Sequence, residues 1–367
     1  MNILILSGKF NAGHTSAATA IRTLTEARLG DTANITLIDL PEYISQEGAA
    51  LWYSIFDALA NHMSPLYNAY YRMSAIGDGG KLFSPLRVFS QRMNALLDEH
   101  HPDVVISTHP VCSFLAARCR RHGANFTLIT CLTDLSTHPE WVNKGTDYYC
   151  VGSRDIAVAL EGQGVPRERI LLTGIPLHPE FYSPLPQKEP GAKKELLLMG
   201  GGAGLLPTKL SFYERLAALE GVHTTVITGR NKKLYERLAG KFENITVLGF
   251  VSDVRARMAH ADLLVSKAGG ITLFEALYSG IPLLVPDPAM EQEKNNAALA
   301  SARGAAVVAP KDPDRCLNAI ASLLKDHARL RRMSAVAAEI RSSLRPNALY
   351  DLLSRLAERK GAVRHAA

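Results

Sequence analysis

The stretch Ser266–Leu284, SKAGGITLFEALYSGIPLL, decides the fold. It opens at the end of DLLVS, an apolar run with the length and composition of a strand. Gly269 and Gly270 make a turn, ITLFEALYSG reads as a helix ending at Gly280, and Ile281-Pro282 reopens an apolar run. Strand, turn, helix and strand in that order, with strands apolar on both faces, are the unit of a parallel sheet covered by helices. The first turn of such a helix presents backbone N–H groups without intrahelical partners and the positive end of the helix dipole, which suits a phosphate. Glycine lets that backbone approach a ligand closely. Thr272 adds a hydroxyl in the first turn, and Glu275, three residues on, faces the same way. A carboxylate beside a phosphate site is unfavourable unless it binds something else. A ribose diol is a natural partner, because a carboxylate accepts two hydrogen bonds. A plain strand–helix turn with a surface glutamate would contain the same residues, so the neighbouring loops decide.

Those loops repeat the theme. The next strand ends in VPDPAMEQEKNNAALA, where Gln292, Glu293 and Asn296 cluster at a helix start and offer the mixed donors and acceptors that sugar hydroxyls require. TGRN, with Gly229, Arg230 and Asn231, and GGGAG, with Gly202, are two further polar loops at strand ends. Either alone is weak evidence. Four such loops at successive strand ends form a nucleotide-sugar crevice.

Further out, short apolar runs alternate with helical patterns along the chain: NILILS, NITLIDL, DVVIST, FTLITCLT and DYYCVG, then ELLLMGGG, TTVITG, ITVLGF, DLLVSK, PLLVPD and GAAVVAP. The strand–glycine loop–helix opening occurs twice, in NILILSGKFNAGHTSAATAI and LLLMGGGAGLLPTKLSFY. Between them GIPLHPEFYSPLPQKEPGAKK, residues 174–194, is rich in Pro, Gly and charge and reads as a linker. The expected architecture is α/β: two Rossmann-like doubly wound domains, residues 1–175 and 176–345, facing across a cleft. A C-terminal helix over 346–367 is expected to pack back on the first domain. One large sheet is the plainer alternative.

The 367 residues are too many for one small core, and the formal charge of +6 suits an anionic ligand or membrane surface. No dense Lys/Arg block lies outside the tail RLAERKGAVRHAA, so no nucleic-acid partner is expected. The 5 cysteines are odd in number and lack C-x-x-C spacing, which argues against disulfides or a zinc site and for a reducing, cytoplasmic setting. No apolar run reaches the roughly 20 residues needed to span a bilayer.

At this point a family enters. LGFVSDVRARMAHADLLVSKAGGITLFEALYSGIPLLVPDPAMEQEKNNAALA resembles the donor-binding domain of inverting glycosyltransferases of two-Rossmann (GT-B) architecture, above all monogalactosyldiacylglycerol synthase and the bacterial diacylglycerol glucosyltransferases. ILILSGKFNAGHTSAA resembles that family's first glycine loop, TCLTDLSTHPEW its Thr-Asp, His and Trp pattern, and GRNKKL its Gly-Arg-Asn turn. FNAGH departs from the glycine run that usually precedes the histidine. The resemblance implies uracil stacked near Phe250 and bonded to the backbone at Val251, and ribose on Glu275. It implies diphosphate on Gly269, Gly270 and Thr272 with Arg230 and Lys267, and the sugar read by Gln292 and Glu293. No Asp-x-Asp motif is present, so no metal and no cofactor beyond the UDP-sugar co-substrate is expected.

Inverting transfer needs a base for the acceptor hydroxyl. His14 in the first glycine loop is one candidate and Asp134 in TCLTDLSTH is the other; Asp134 could instead orient His14. His109 and His138 read either as lining the cleft or as structural. Trp141 is either local packing or an acceptor contact. Over residues 49–75, Trp52, Phe56, Leu59, Met63, Leu66 and Tyr70 recur every three or four positions, as either core or a surface that meets the membrane interface, followed by Lys81, Arg87 and Arg92. The expected activity is hexose transfer from a UDP-sugar to a lipid hydroxyl, of diacylglycerol or a glycolipid, by a peripheral protein on the inner face of the cell membrane. A soluble acceptor, or UDP-sugar 2-epimerisation on the same architecture, are the alternatives.

Overall fold

The computed structural model describes residues 1–9, 12–51, 53–54, 86–135, 138–185 and 193–366. The chain forms two compact units, Met1–Pro179 with Leu344–Ala367, and Glu180–Ser343.

The first unit is built on a 6-stranded sheet of order β2-β1-β3-β4-β5-β6, all parallel. Its strands are β1 Asn2–Ser7, β2 Asn34–Asp39, β3 Val104–Ser107, β4 Thr127–Cys131, β5 Tyr148–Cys150 and β6 Ile170–Leu171. The connecting helices include α1 Ala12–Leu29, α2 Leu40–Ile44, α3 Leu86–His100, α4 Pro110–Arg121 and α5 Arg154–Gly162. Alternate residues of β1 feed opposite faces. Ile3 and Ile5 pack with Val104, Ile106 and Ile129 against Ala18 and Ile21 of α1 and against Leu349, Leu352 and Leu353 of a last helix, Ala348–Ala366. Leu4 and Leu6 pack on the other face with Met93 and Leu96 of α3 and Cys112 and Leu115 of α4. Each fully buried side chain of this size contributes about 1.5–3 kcal/mol. That is why these strands read as unbroken apolar runs rather than alternating ones.

The second unit repeats the plan with order β12-β11-β10-β7-β8-β9, again parallel. Its strands are β7 Lys194–Met199, β8 Val222–Ile227, β9 Ile245–Leu248, β10 Leu263–Ser266, β11 Leu283–Pro286 and β12 Ala306–Ala309. Its helices are α6 Leu210–Ala217, α7 Lys232–Leu238, α8 Val254–His260, α9 Gly270–Ser279, α10 Glu291–Ala302, α11 Pro313–Lys325 and α12 His327–Ser343. Leu196 and Leu198 of β7 meet Phe212, Tyr213 and Leu216 of α6 and Ile320 and Leu324 of α11. This strand order reverses direction between β7 and β10. Ligands of doubly wound sheets bind outside the carboxyl ends of the strands at such a switch point.

Two features were not visible in the residue pattern. The edge strand β6 is 2 residues long, too short to leave a periodicity. The Pro-rich stretch 174–194 is also more than a linker: Ile175, Leu177 and Phe181 are buried, and Pro179–Tyr182 forms a 3-10 turn. No helix among the described residues is long and apolar enough to cross a membrane.

Candidate active site

Because every strand of the second sheet runs the same way, the loops after β7, β8, β9, β10 and β11 share one edge. The first two interlock. Gly204 has φ +65°, and a Cβ there would lie 1.9 Å from the Thr228 carbonyl oxygen; a Cβ on Gly229 would lie 2.7 Å from the Gly202 oxygen. The backbone N–H of Arg230 donates to Gly202 O at 3.0 Å. Asn231, read from sequence as a donor contact, is committed to this joint. Its Oδ1 caps α7 by accepting from the Leu234 N–H at 3.0 Å, and its Nδ2 donates to Gly204 O at 3.2 Å. Arg230 is exposed, as is Phe250 just after β9, and Val251 beside it is half-buried.

The turn after β10 leads into α9, whose first turn carries no acidic side chain, whereas α10 carries Glu291 and Glu293 in its first turn. Of these two helix starts, α9 is the one whose positive end is not already faced by acidic side chains of its own first turn, and so the better suited to an external anion. Gly269 is its N-cap, Gly270 begins it, and Thr272 is buried at 8% exposure. Lys267, two residues before Gly269, pairs with Glu293 of α10 at 2.8 Å and lays its stem over Gly201. Gln292 is half-buried beside Glu293. Asn296, expected to read sugar hydroxyls, is buried, and its Nδ2 donates to Ala268 O at 3.0 Å, so it braces the glycine turn.

Glu275 sits one turn into α9. Burial, followed by the carboxylate of Glu180, pushes its carboxyl up to about 7. Glu180 comes from a segment 95 positions earlier, and no residue pattern announced the pairing. The unfolded glutamate ionises first as pH rises. Stability is therefore fully present below the unfolded value and falls as pH rises through about 4.5 to 7. Glu275→Gln should remove this slope and be more stable than the parent at pH 8 by roughly 1–3 kcal/mol, with little difference at pH 4. Thermal melts at both pH values test this; a gap that does not change with pH would refute it.

In the first unit the loops after β1, β3 and β4 share an edge in the same way. His14 lies in the first turn of α1 and is buried at 7% exposure. Its Nδ1 is 2.8 Å from the Thr108 carbonyl oxygen and 2.9 Å from Thr133 Oγ1. A carbonyl can only accept, so Nδ1 carries the hydrogen and Nε2 keeps the lone pair. Burial lowers the His14 pKa, against the opposing pull of the Asp134 carboxylate and the Thr108 carbonyl, so the ring is neutral at pH 7. Asp134 is likewise buried, at 7%. The ring of His109 stands edge-on to His14 at 4.7 Å, and Trp141, 2% exposed, lies 6.4 Å away. His109 caps α4 by accepting from the Val111 N–H, and His138 caps the turn Pro139–Trp141. Burial and the neighbouring His14 lower the His109 pKa well below its ordinary value. Thr108 carried no signal in the sequence, and Thr133 entered only as the threonine of the Thr-Asp pattern, without a role. Trp52, Tyr70, Lys81 and the side chain of Arg87 lie outside the described residues, and Arg92 is exposed on α3.

Two doubly wound units with these loops define a glycosyltransferase fold of GT-B type. Residues 14–177 match the family model of monogalactosyldiacylglycerol (MGDG) synthase, and residues 196–345 match that of the glycosyltransferase family 28 C-terminal domain. The processive diacylglycerol beta-glucosyltransferase of Bacillus subtilis is 30% identical over 349 residues, covering 90% of this chain and 89% of that protein. A probable chloroplastic monogalactosyldiacylglycerol synthase of Nicotiana tabacum is 30% identical over 87% of this chain and 64% of its own length. Among solved structures, the glycotransferase of kitacinnamycin aligns with a TM-score of 0.65 at 18% identity, over 97% of this chain and 99% of that one. The chain belongs to the glycosyltransferase family that contains the diacylglycerol glucosyltransferases and monogalactosyldiacylglycerol synthases.

Proposed function

We propose that this protein is an inverting glycosyltransferase that moves a hexose from a UDP-sugar to a hydroxyl of a lipid acceptor, diacylglycerol or a glycolipid, at an anionic membrane surface. The observation that carries the reading is the match along 90% of the chain to a diacylglycerol glucosyltransferase. His14 Nε2 takes the proton of the acceptor hydroxyl while its oxygen bonds to the anomeric carbon. The bond from that carbon to the diphosphate breaks, and UDP leaves with the electron pair. In this reading the N–H groups at the start of α9, with Thr272, Arg230 and Lys267, hold the leaving charge without a metal or other cofactor. Glu275 takes the ribose, Phe250 and Val251 the uracil, and Glu293 and Gln292 the hexose. For Glu293, holding the sugar means sharing or releasing Lys267.

A lipid acceptor cannot leave the bilayer cheaply, since each exposed CH₂ costs about 0.8 kcal/mol, so the protein must come to the interface. The protein is expected to co-sediment with anionic vesicles at low salt, to release partly at high salt, and to glycosylate diacylglycerol in them when given UDP-hexoses, with products read by mass spectrometry. Trp52→Ser with Tyr70→Ser should weaken sedimentation; a lower melting temperature with no binding defect in the folded fraction would instead make the stripe core and exclude it as the membrane contact. Glycosylation of a soluble alcohol without vesicle binding would sink the lipid reading. Turnover of the UDP-sugar with no acceptor would point to epimerisation.

A further inference from the structure

We propose that Thr133 is the positioning residue of the His14 base, its hydroxyl oxygen sharing the Nδ1 hydrogen with the Thr108 carbonyl. The proposal rests on the reading of His14 as the group that deprotonates the acceptor. The distances from Nδ1 are 2.8 Å to Thr108 O and 2.9 Å to Thr133 Oγ1. Since Nδ1 must be the donor toward the carbonyl, it has no lone pair to receive the Thr133 hydrogen. Thr133 Oγ1 is therefore a second acceptor in a three-centre bond, and its own hydrogen points elsewhere. Both threonines are buried, Thr108 at 0% and Thr133 at 4% exposure, so the grip is made away from water.

The consequence appears when the acceptor O–H bond breaks and a new N–H bond forms at Nε2. The ring is then an imidazolium in a place where burial opposes charge. Hydrogen bonds from a charged donor are shorter and roughly twice as strong as neutral ones, so two oxygens on Nδ1–H stabilise the ring more after proton transfer than before. They also fix the ring so that Nε2 is the nitrogen that meets the acceptor. In many hydrolytic sites a carboxylate does this at Nδ1; here neutral oxygens sit on the nitrogen. The other groups facing His14 are Asp134, whose charge favours the imidazolium, the His109 ring, neutral near pH 7 through burial, and Trp141. Asp134 supplies charge, and the adjacent Thr133 supplies the geometric hold.

Thr133→Val keeps the shape and removes the acceptor; Thr133→Ser restores it. With full-length protein, vesicles and UDP-hexose, Thr133→Val should lower kcat by about 10–100-fold, the range implied by losing one hydrogen bond to a charged group. KM for the UDP-sugar should be unchanged. The acid limb of the pH–rate profile should move to lower pH, because the charged ring loses an acceptor. Thr133→Ser should stay within about threefold of the parent. A merely structural Thr133 would lower the melting temperature and leave the limb in place. A second readout does not depend on turnover. Nitrogen-15 histidine spectra, assigned with His14→Asn, should show His14 as the Nδ1–H tautomer, with that signal altered in Thr133→Val and recovered in Thr133→Ser. An Nε2–H tautomer in the parent, or a Thr133→Val protein with parental kcat and acid limb, overturns the proposal. Full turnover in His14→Ala would overturn the base assignment itself. If no acceptor is glycosylated by the parent, the functional reading fails and the spectra decide the Thr133 contact alone.

Discussion

His14→Ala is expected to cut turnover by roughly 10²–10⁴-fold, the contribution of a positioned general base, while leaving UDP-sugar affinity nearly intact. The asymmetry follows from where the residue sits. His14 belongs to the first unit, and the loops assigned to the nucleotide all belong to the second. Its ring is neutral near pH 7 and has its lone pair on Nε2, so it is ready to take a proton without first losing one. The truncation should be tolerated by the fold, because the neighbouring Thr108 hydroxyl keeps its contact with Ser7 Oγ at 3.0 Å. Turnover, calorimetric UDP-sugar affinity and a thermal melt on one preparation check all three statements. Near-normal turnover would hand the base to Asp134, the buried carboxylate in the loop after β4.

The second large effect is on the joint beneath the donor loops. Gly204→Ala would put a Cβ 1.9 Å from the Thr228 carbonyl oxygen and 2.9 Å from Asn231 Cβ, at a φ of +65°. Neither neighbour is a flexible side-chain tip. Thr228 is buried at 0% exposure, and Asn231 is tied down as the cap of α7. The expected loss is roughly 3–5 kcal/mol, in the range of strained backbone plus overpacking. Gly221→Ala is the matched control: its φ is +69°, but nothing lies within 4 Å of the added atom, so only backbone strain of roughly 1–2 kcal/mol remains. Melting temperatures of the two variants, with UDP affinity of the folded fraction, separate the causes. Equal drops for both would show that the interlock of the two loops contributes nothing.

The residue pattern carried the architecture because each strand is buried on both faces. NILILS is β1, ELLLMGGG holds β7, and the remaining apolar runs each fall on a strand. Only β6, with 2 residues, had no run to show. The glycine turn and α9 were equally plain, since a turn and a helix start are local events. What the sequence hid was tertiary. Asn231 and Asn296 look like free ligand contacts in isolation, but each also holds a loop in place, Asn231 as a helix cap and Asn296 through Ala268 O. Thr133 looks like a strand-end threonine until the fold brings it to a histidine 119 positions away. The neighbour that raises the Glu275 carboxyl, Glu180, lies in a stretch whose prolines suggested only a connection. Composition ranks residue types for a role, and contact decides which of them is still available for it.

The Ala348–Ala366 helix has a consequence for how the protein is made. Leu349, Tyr350, Leu352 and Leu353 complete the core over Ile5, Ile106 and Ile129, and Arg28 and Asp103 anchor the same helix through Asp351 and Lys360. Along the chain, the second unit is therefore an insertion within the first. On a ribosome adding about 5–20 residues per second, residues 180–343 emerge as one uninterrupted block and can close their core at once. The first sheet meanwhile has only α1 over that apolar face, for roughly 8–33 seconds. The strands of the first sheet are thus made before the second unit and sealed after it.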